Sequence, residues 1–164
     1  MGKITMKRIA ITGAFLLSSL LSITAIAADA PTPEQKAASD IANRQAVFKL
    51  LSFSNAPLGG MARGGAYDAD AAKTAAERIA MLGAMIPSLF AADTTGPAAE
   101  GITTRAADTI WANKADFDML AADLVTGANA ALEILNTQGE AGVRDAVAQI
   151  GPKCGACHDR FRLE

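Results

Sequence analysis

Histidine occurs once in these 164 residues and cysteine only twice. That scarcity excludes any metal centre needing two histidines and leaves a zinc site one ligand short. Aromatic residues make up 5% of the chain and β-branched clusters are rare, which argues against a β-sandwich or barrel. No basic run occurs beyond the first eight residues, so no nucleic-acid surface is expected. Beyond residue 26 no apolar run is long enough to span a bilayer. Also missing are a catalytic acid–base pair, a nucleophile beside its base and a phosphate-cradling glycine loop, so a conventional enzyme is not expected. Hydrophobic residues, largely alanine, reach 51%, enough for one packed domain rather than disorder.

The N-terminus runs from a basic start, with Lys3, Lys7 and Arg8, into an uncharged stretch from Ile9 to Ile26, then Ala25-Ile26-Ala27. A basic start, an apolar stretch and an A-x-A site make a secretory signal peptide over residues 1–27, with the mature domain over residues 28–164. Cleavage after Ala30 is the second choice. A stretch of about 18 residues would also suit a retained anchor, but small residues follow it at once and no charged stop-transfer cluster does. Removing the leader leaves 12 basic residues against 17 acidic, a net charge of −5. The expectation is an acidic periplasmic protein that has no membrane attachment after cleavage.

Apolar spacing in the mature chain predicts four helices. Thr32-Pro33-Glu34-Gln35 carries a capping box with proline at the first helical position. The first helix is expected to stop near Asn55, before Pro57 and Gly59-Gly60, or to kink and run to about Arg63. The second starts around Asp68 to Asp70, with Pro87 bending its last turn. Residues 92–103 read as a surface loop. The third helix is expected from about Arg105 to Leu135, weakened at Gly127. Thr137 and Glu140 suggest another capping box, opening a fourth helix from about Gln138 to Arg162, bent at Pro152. Short connections between such helices favour an all-α, antiparallel four-helix bundle.

Both cysteines and the lone histidine fall together in Cys154-Gly155-Ala156-Cys157-His158. C-x-x-C-H is the attachment signature of a c-type haem. Two thiols can form thioethers with the two porphyrin vinyl groups. On a helix, positions i, i+3 and i+4 share one side, so the imidazole reaches iron beside them. A dithiol oxidoreductase, a zinc site and a structural disulfide compete for the same residues. The first expects a βαβ context and a lowered thiol pKa, the second a fourth ligand, and the third leaves His158 without a role. One covalent haem c per chain is therefore expected, with His158 as the metal ligand. Met61, Met81, Met85 and Met119 are candidates for the sixth position, although methionine at helical spacing more often fills a core.

A C-terminal C-x-x-C-H on the last helix of an exported all-α chain resembles the cytochrome c′ family. Arg44-Gln45 resembles that family's Arg-Gln pair in the first helix. Leu58 to Gly64 resembles the end of the first helix, which implies that it continues through Pro57. Ile110-Trp111, followed by Phe117, resembles the start of the third. The resemblance implies either a methionine on the first helix bound to iron in a low-spin carrier, or an apolar residue there and five-coordinate iron. Aligning Leu58 to Gly64 puts Phe48 at that position. Arg44 shares its face at i, i+4, which suggests that Arg44 and Gln45 reach the haem's acidic edge while Phe48 covers iron. Arg162, one turn beyond His158, would lie at the proximal side, where it hydrogen-bonds a small ligand, shields the imidazole, or serves as a C-terminal cation for the helix dipole.

Two haem functions follow. One is a high-spin, five-coordinate protein that binds nitric oxide or carbon monoxide and can also transfer electrons. The other is a six-coordinate His/Met electron carrier. A redox partner protein is implied but not identified, and the resemblance implies a homodimer through the first two helices. Ala71, Ala72, Ala75 and Ala76 would suit either that interface or packing within one chain.

Overall fold

Helix α1 (Pro33–Ala62) starts where its capping box does: Thr32 Oγ1 accepts from the Gln35 amide and Gln35 Oε1 accepts from the Thr32 amide. It continues past Pro57, as the resemblance implied and against the stop near Asn55 that spacing alone favoured. Pro57 cannot donate to the carbonyl of Phe53, but Pro57 and Phe53 are both exposed and water can take that carbonyl. These observations come from a computed structural model that describes residues 30–164; the proposed signal peptide, residues 1–27, lies outside them.

Helix α2 (Ala69–Leu89) is opened by Asp68, whose carboxylate accepts from the Ala71 amide. Residues 92–103 form the expected loop, apart from a 3₁₀ turn at Pro97–Ala99. The third helix differs from the sequence reading. Residues 105–108 are not helical, a single turn α3 (Thr109–Ala112) follows, and α4 (Lys114–Gln138) begins after a break at Asn113. The cause is tertiary: the Ala107 amide donates to Phe161 O and the Leu163 amide to Arg105 O, so this backbone is paired with the chain's C-terminus. Helix α5 (Val143–Phe161) follows a 3₁₀ turn at Gly139–Gly142. The Thr137–Glu140 box does not form, because the Thr137 hydroxyl donates back to Glu133 O and Ile134 O inside α4.

Four long helices thus form an antiparallel bundle, with α2, α4 and α5 meeting along the core. Phe117, Ile41, Leu58, Ile79, Ile110, Leu135 and Ile150 are its largest fully buried side chains. Ala72, Ala75 and Ala76 are also buried within the single chain, so these alanines serve intrachain packing. Gly127 is a packing residue and not a weak point: a Cβ there would lie 2.4 Å from Gln149 O of α5. Pro152 sits exposed within α5, its missing bond turned toward the exposed Ala148.

Candidate functional site

Between α1 and α5 the bundle leaves a cavity of about 550 Å³, within the range of sites for small cofactors. Cys154, Cys157 and His158 line it together, as their i, i+3, i+4 spacing on α5 requires. Across from them, Arg44, Gln45, Phe48, Leu51 and Asn55 come from α1. Arg162 lines the same cavity, so every sequence-predicted site residue borders one space. Among the described residues no aspartate or glutamate does.

A hydrogen bond from Arg144 Nε to Ala62 O, 3.3 Å long, fixes the register of the antiparallel α1 and α5 to within about a turn. Fourteen residues back along α1 from Ala62 lies Phe48; fourteen residues on along α5 from Arg144 lies His158. Equal rise puts the two side by side. The Phe48 ring is half-buried, edge-on to Phe90 with centroids 6.3 Å apart. Phe90 meets Phe117 at a tilt, centroids 4.7 Å apart, and Phe117 meets Phe161 edge-on at 5.4 Å. The described methionines are elsewhere: Met81, Met85 and Met119 are exposed and Met61 packs on the core, none of them lining the cavity.

Electrostatics suit attachment and ligation rather than thiol redox chemistry. Burial pushes the Cys154 thiol up; burial, then its neighbour Cys154, pushes the Cys157 thiol up against the opposing pull of Arg160. A dithiol oxidoreductase requires a depressed thiol pKa, and these cysteines sit late in α5 rather than at a helix N-terminus. His158 is pushed down, first by burial and then by Arg162 and Arg105, with Asp159 opposing. The imidazole is thereby held neutral with a lone pair for a metal. Arg162 NH1 lies 3.3 Å from His158 Nδ1, and among the described residues no carboxylate pairs with that nitrogen.

Arg44 has a structural task besides its place at the cavity wall. It is 3% exposed and spends its guanidinium on the end of α2: Nε donates to Leu89 O, NH2 to Ala92 O and NH1 to the Thr94 hydroxyl. Its plane lies over Phe90, 4.6 Å from the ring centroid. Those bonds make it the cap of a helix C-terminus, where a cation is favoured, at the same time as it lines the cavity. Gln45 also bonds protein, donating through Nε2 to Thr103 O. Arg105 and Asn55 escaped the sequence analysis. Arg105 is far from the motif in sequence and reaches the site only through the pairing of residues 105–107 with the C-terminus. Asn55 sat in a stretch read as the end of a helix.

The residues fit a covalent porphyrin. The cavity is apolar over most of its wall, presents two thiols and an imidazole biased toward its neutral form, and has only cations as charged groups among the described residues that line it. Asn55 Oδ1 is buried without a partner at its wall, as is expected where a group is still to be accommodated.

Comparison with known proteins agrees with this geometry. The family model described as Cytochrome C' matches residues 39–162. A cytochrome c-556 of Agrobacterium fabrum is 33% identical over 129 residues, covering 78% of this chain and 84% of its own. A cytochrome c' of Rhodopseudomonas palustris is 32% identical over 125 residues, covering 76% and 82%. The solved structure of a cytochrome c' from Rhodopseudomonas palustris superposes with a TM-score of 0.68 at 32% identity, over 76% of this chain and 96% of that one.

Proposed function

Because the chain belongs to the cytochrome c′ family and carries haem c, we propose that it is a periplasmic haem protein whose five-coordinate, high-spin iron binds nitric oxide or carbon monoxide. Electron exchange with a redox partner protein belongs to the same reading. The haem, when bound, supplies a redox-active iron with an open axial position. The chain's residues do the rest. Cys154 and Cys157 would hold the porphyrin by thioethers, and the His158 imidazole would ligate its iron. Phe48 stands level with His158 on the opposite wall, where a ring excludes water and charged ligands but yields to a small neutral molecule.

The observation that carries this reading is the makeup of the α1 wall: it offers Phe48 and Leu51, and no described methionine borders the cavity. Relatives named cytochrome c-556 match as well as those named cytochrome c', so names do not choose between five-coordinate iron and the His/Met electron carrier. That carrier requires a methionine sulfur at iron. Absorption and electron paramagnetic resonance spectra of the ferric and ferrous protein decide it. High-spin ferric iron that accepts carbon monoxide when reduced is expected; a low-spin native spectrum with a methionine–iron bond overturns the proposal.

A homodimer through α1 and α2 is part of the proposal. Its support is the run of exposed apolar residues on these helices: Leu50 is 50% exposed, Phe53 67%, Met81 62% and Met85 44%. Counting six residues from the Arg44–Leu89 hydrogen bond along each helix sets Leu50 level with Gly83, between the two methionines.

A further inference from the structure

Three guanidinium groups gather at the end of the cavity beyond His158. Arg162, four residues beyond His158, is the extended residue that ends α5. Arg105 is tied to that turn by the bridge between Ala106 and Arg162. Arg44 is eighteen residues before Ala62 as Arg162 is eighteen after Arg144, so the register brings those two level. The porphyrin's chemistry gives this end a purpose. Its vinyl groups and its two propionates occupy opposite edges, so thioethers at Cys154 and Cys157 leave the carboxylates to be met elsewhere. No described acid lines the cavity to compete for these cations.

The three are not equally available. Arg44 already donates from all three nitrogens to α2 and the loop after it. Arg162 NH1 lies 3.3 Å from His158 Nδ1, beside the proximal imidazole; an imidazole that gives its lone pair to iron has none for Arg162, so that placement is not a bond in the haem-loaded protein. Arg105 commits only Nε, which donates to Leu163 O at 3.0 Å. Its two terminal nitrogens have no protein acceptor among the described residues, and it forms no salt bridge there. Its backbone is not free to drift: the Leu163 amide donates to Arg105 O at 2.8 Å and the Ala107 amide to Phe161 O at 3.0 Å. Two strands of backbone therefore hold an uncommitted guanidinium beside the helix that carries the haem-attachment residues.

We propose that Arg105 is the haem-positioning cation of this chain: its terminal nitrogens bind a haem propionate, while Arg44 serves α2. A guanidinium fork suits a carboxylate bidentately. This inference rests on the haem reading but not on the coordination number of iron. A cation beside the porphyrin favours the ferrous state, which carries one positive charge fewer, so Arg105 raises the reduction potential.

The test uses holoprotein with Arg105→Gln, Arg105→Lys and Arg44→Gln. Glutamine at 105 is expected to lower the reduction potential and shift the propionate bending band in the resonance Raman spectrum. Lysine, which keeps the charge but not the fork, is expected to restore most of the potential while the band stays displaced. Arg44→Gln is expected to lower the melting temperature and leave the band in place. An unchanged potential and band in Arg105→Gln, or a band that moves in Arg44→Gln instead, overturns the proposal. If the glutamine variant does not accumulate with haem, an unmoved band in Arg105→Lys overturns it equally. Failure of the haem reading looks different, as a colourless protein, and failure of the five-coordinate reading as a low-spin native spectrum.

Discussion

Phe48 is half-buried at the wall of the cavity, level with His158, and a single substitution there separates the two haem functions. Phe48→Met places a thioether where the ring now stands and is expected to drive the ferric iron toward low spin, read in the absorption and paramagnetic spectra. Phe48→Ala opens the wall and should speed carbon monoxide binding, measured by flash photolysis. Because the ring is only half-buried, the stability cost should fall below the ~3–5 kcal/mol of a fully buried phenylalanine. The attachment residues admit an equally direct check. With both Cys154 and Cys157 replaced by alanine, acid extraction should strip all haem from the protein, whereas His158→Ala should keep the haem covalent and lose the nitrogen ligand. Haem retained by the double variant after extraction contradicts the assignment.

Helix ends and helix contacts decide the next level. The last carbonyls of α2 are served from other elements: Leu89 O by Arg44 of α1, and Pro87 O by Lys114 of α4. Replacing Arg44 by methionine leaves acceptors at that end bare, at about 1–3 kcal/mol for each one that stays buried. Chemical denaturation should show the loss, and a variant as stable as the native chain would remove Arg44 from this role. At the α4–α5 contact two effects oppose each other. Gly127→Ala gains up to ~1 kcal/mol of helix propensity, but its Cβ would meet Gln149 O at 2.4 Å, and overpacking typically costs about 1–3 kcal/mol. Backbone cannot yield as a side-chain tip does, so net destabilisation is expected, visible as a lower thermal midpoint of the holoprotein.

For the molecule as a whole, Leu50 and Phe53 on α1 stand exposed, outside the core formed by the described residues. In the proposed dimer they are covered, and a carboxylate at either position would have to be desolvated at the interface. Leu50→Glu with Phe53→Glu should therefore yield monomers in sedimentation velocity, with the haem spectrum unchanged because neither residue borders the cavity. A native protein that is already monomeric at the same concentration defeats the proposal. Export belongs to this scale as well: mass spectrometry of periplasmic protein should show a chain starting at Ala28, or at Pro31 if cleavage follows Ala30.

Local chemistry along the chain determined the all-α class, the haem motif and most helix ends. Cys154, Cys157 and His158 are neighbours in one helix, and their side chains converge whatever the rest of the chain does. Thr32 with Gln35, and Asp68, cap their own first turns through bonds spanning three residues. Tertiary structure decided what depended on distant partners. Whether α1 passes Pro57 turned on which face meets solvent. Where the third helix starts was settled by backbone pairing of residues 105–107 with the C-terminus. That Arg44 shares a face with Phe48 is legible in the spacing; the carbonyls it also caps lie forty-five and forty-eight residues away, a separation that no helical spacing reveals. Arg105 came to the cavity by the same kind of long-range closure, which is why its place could be read only after the chain had folded.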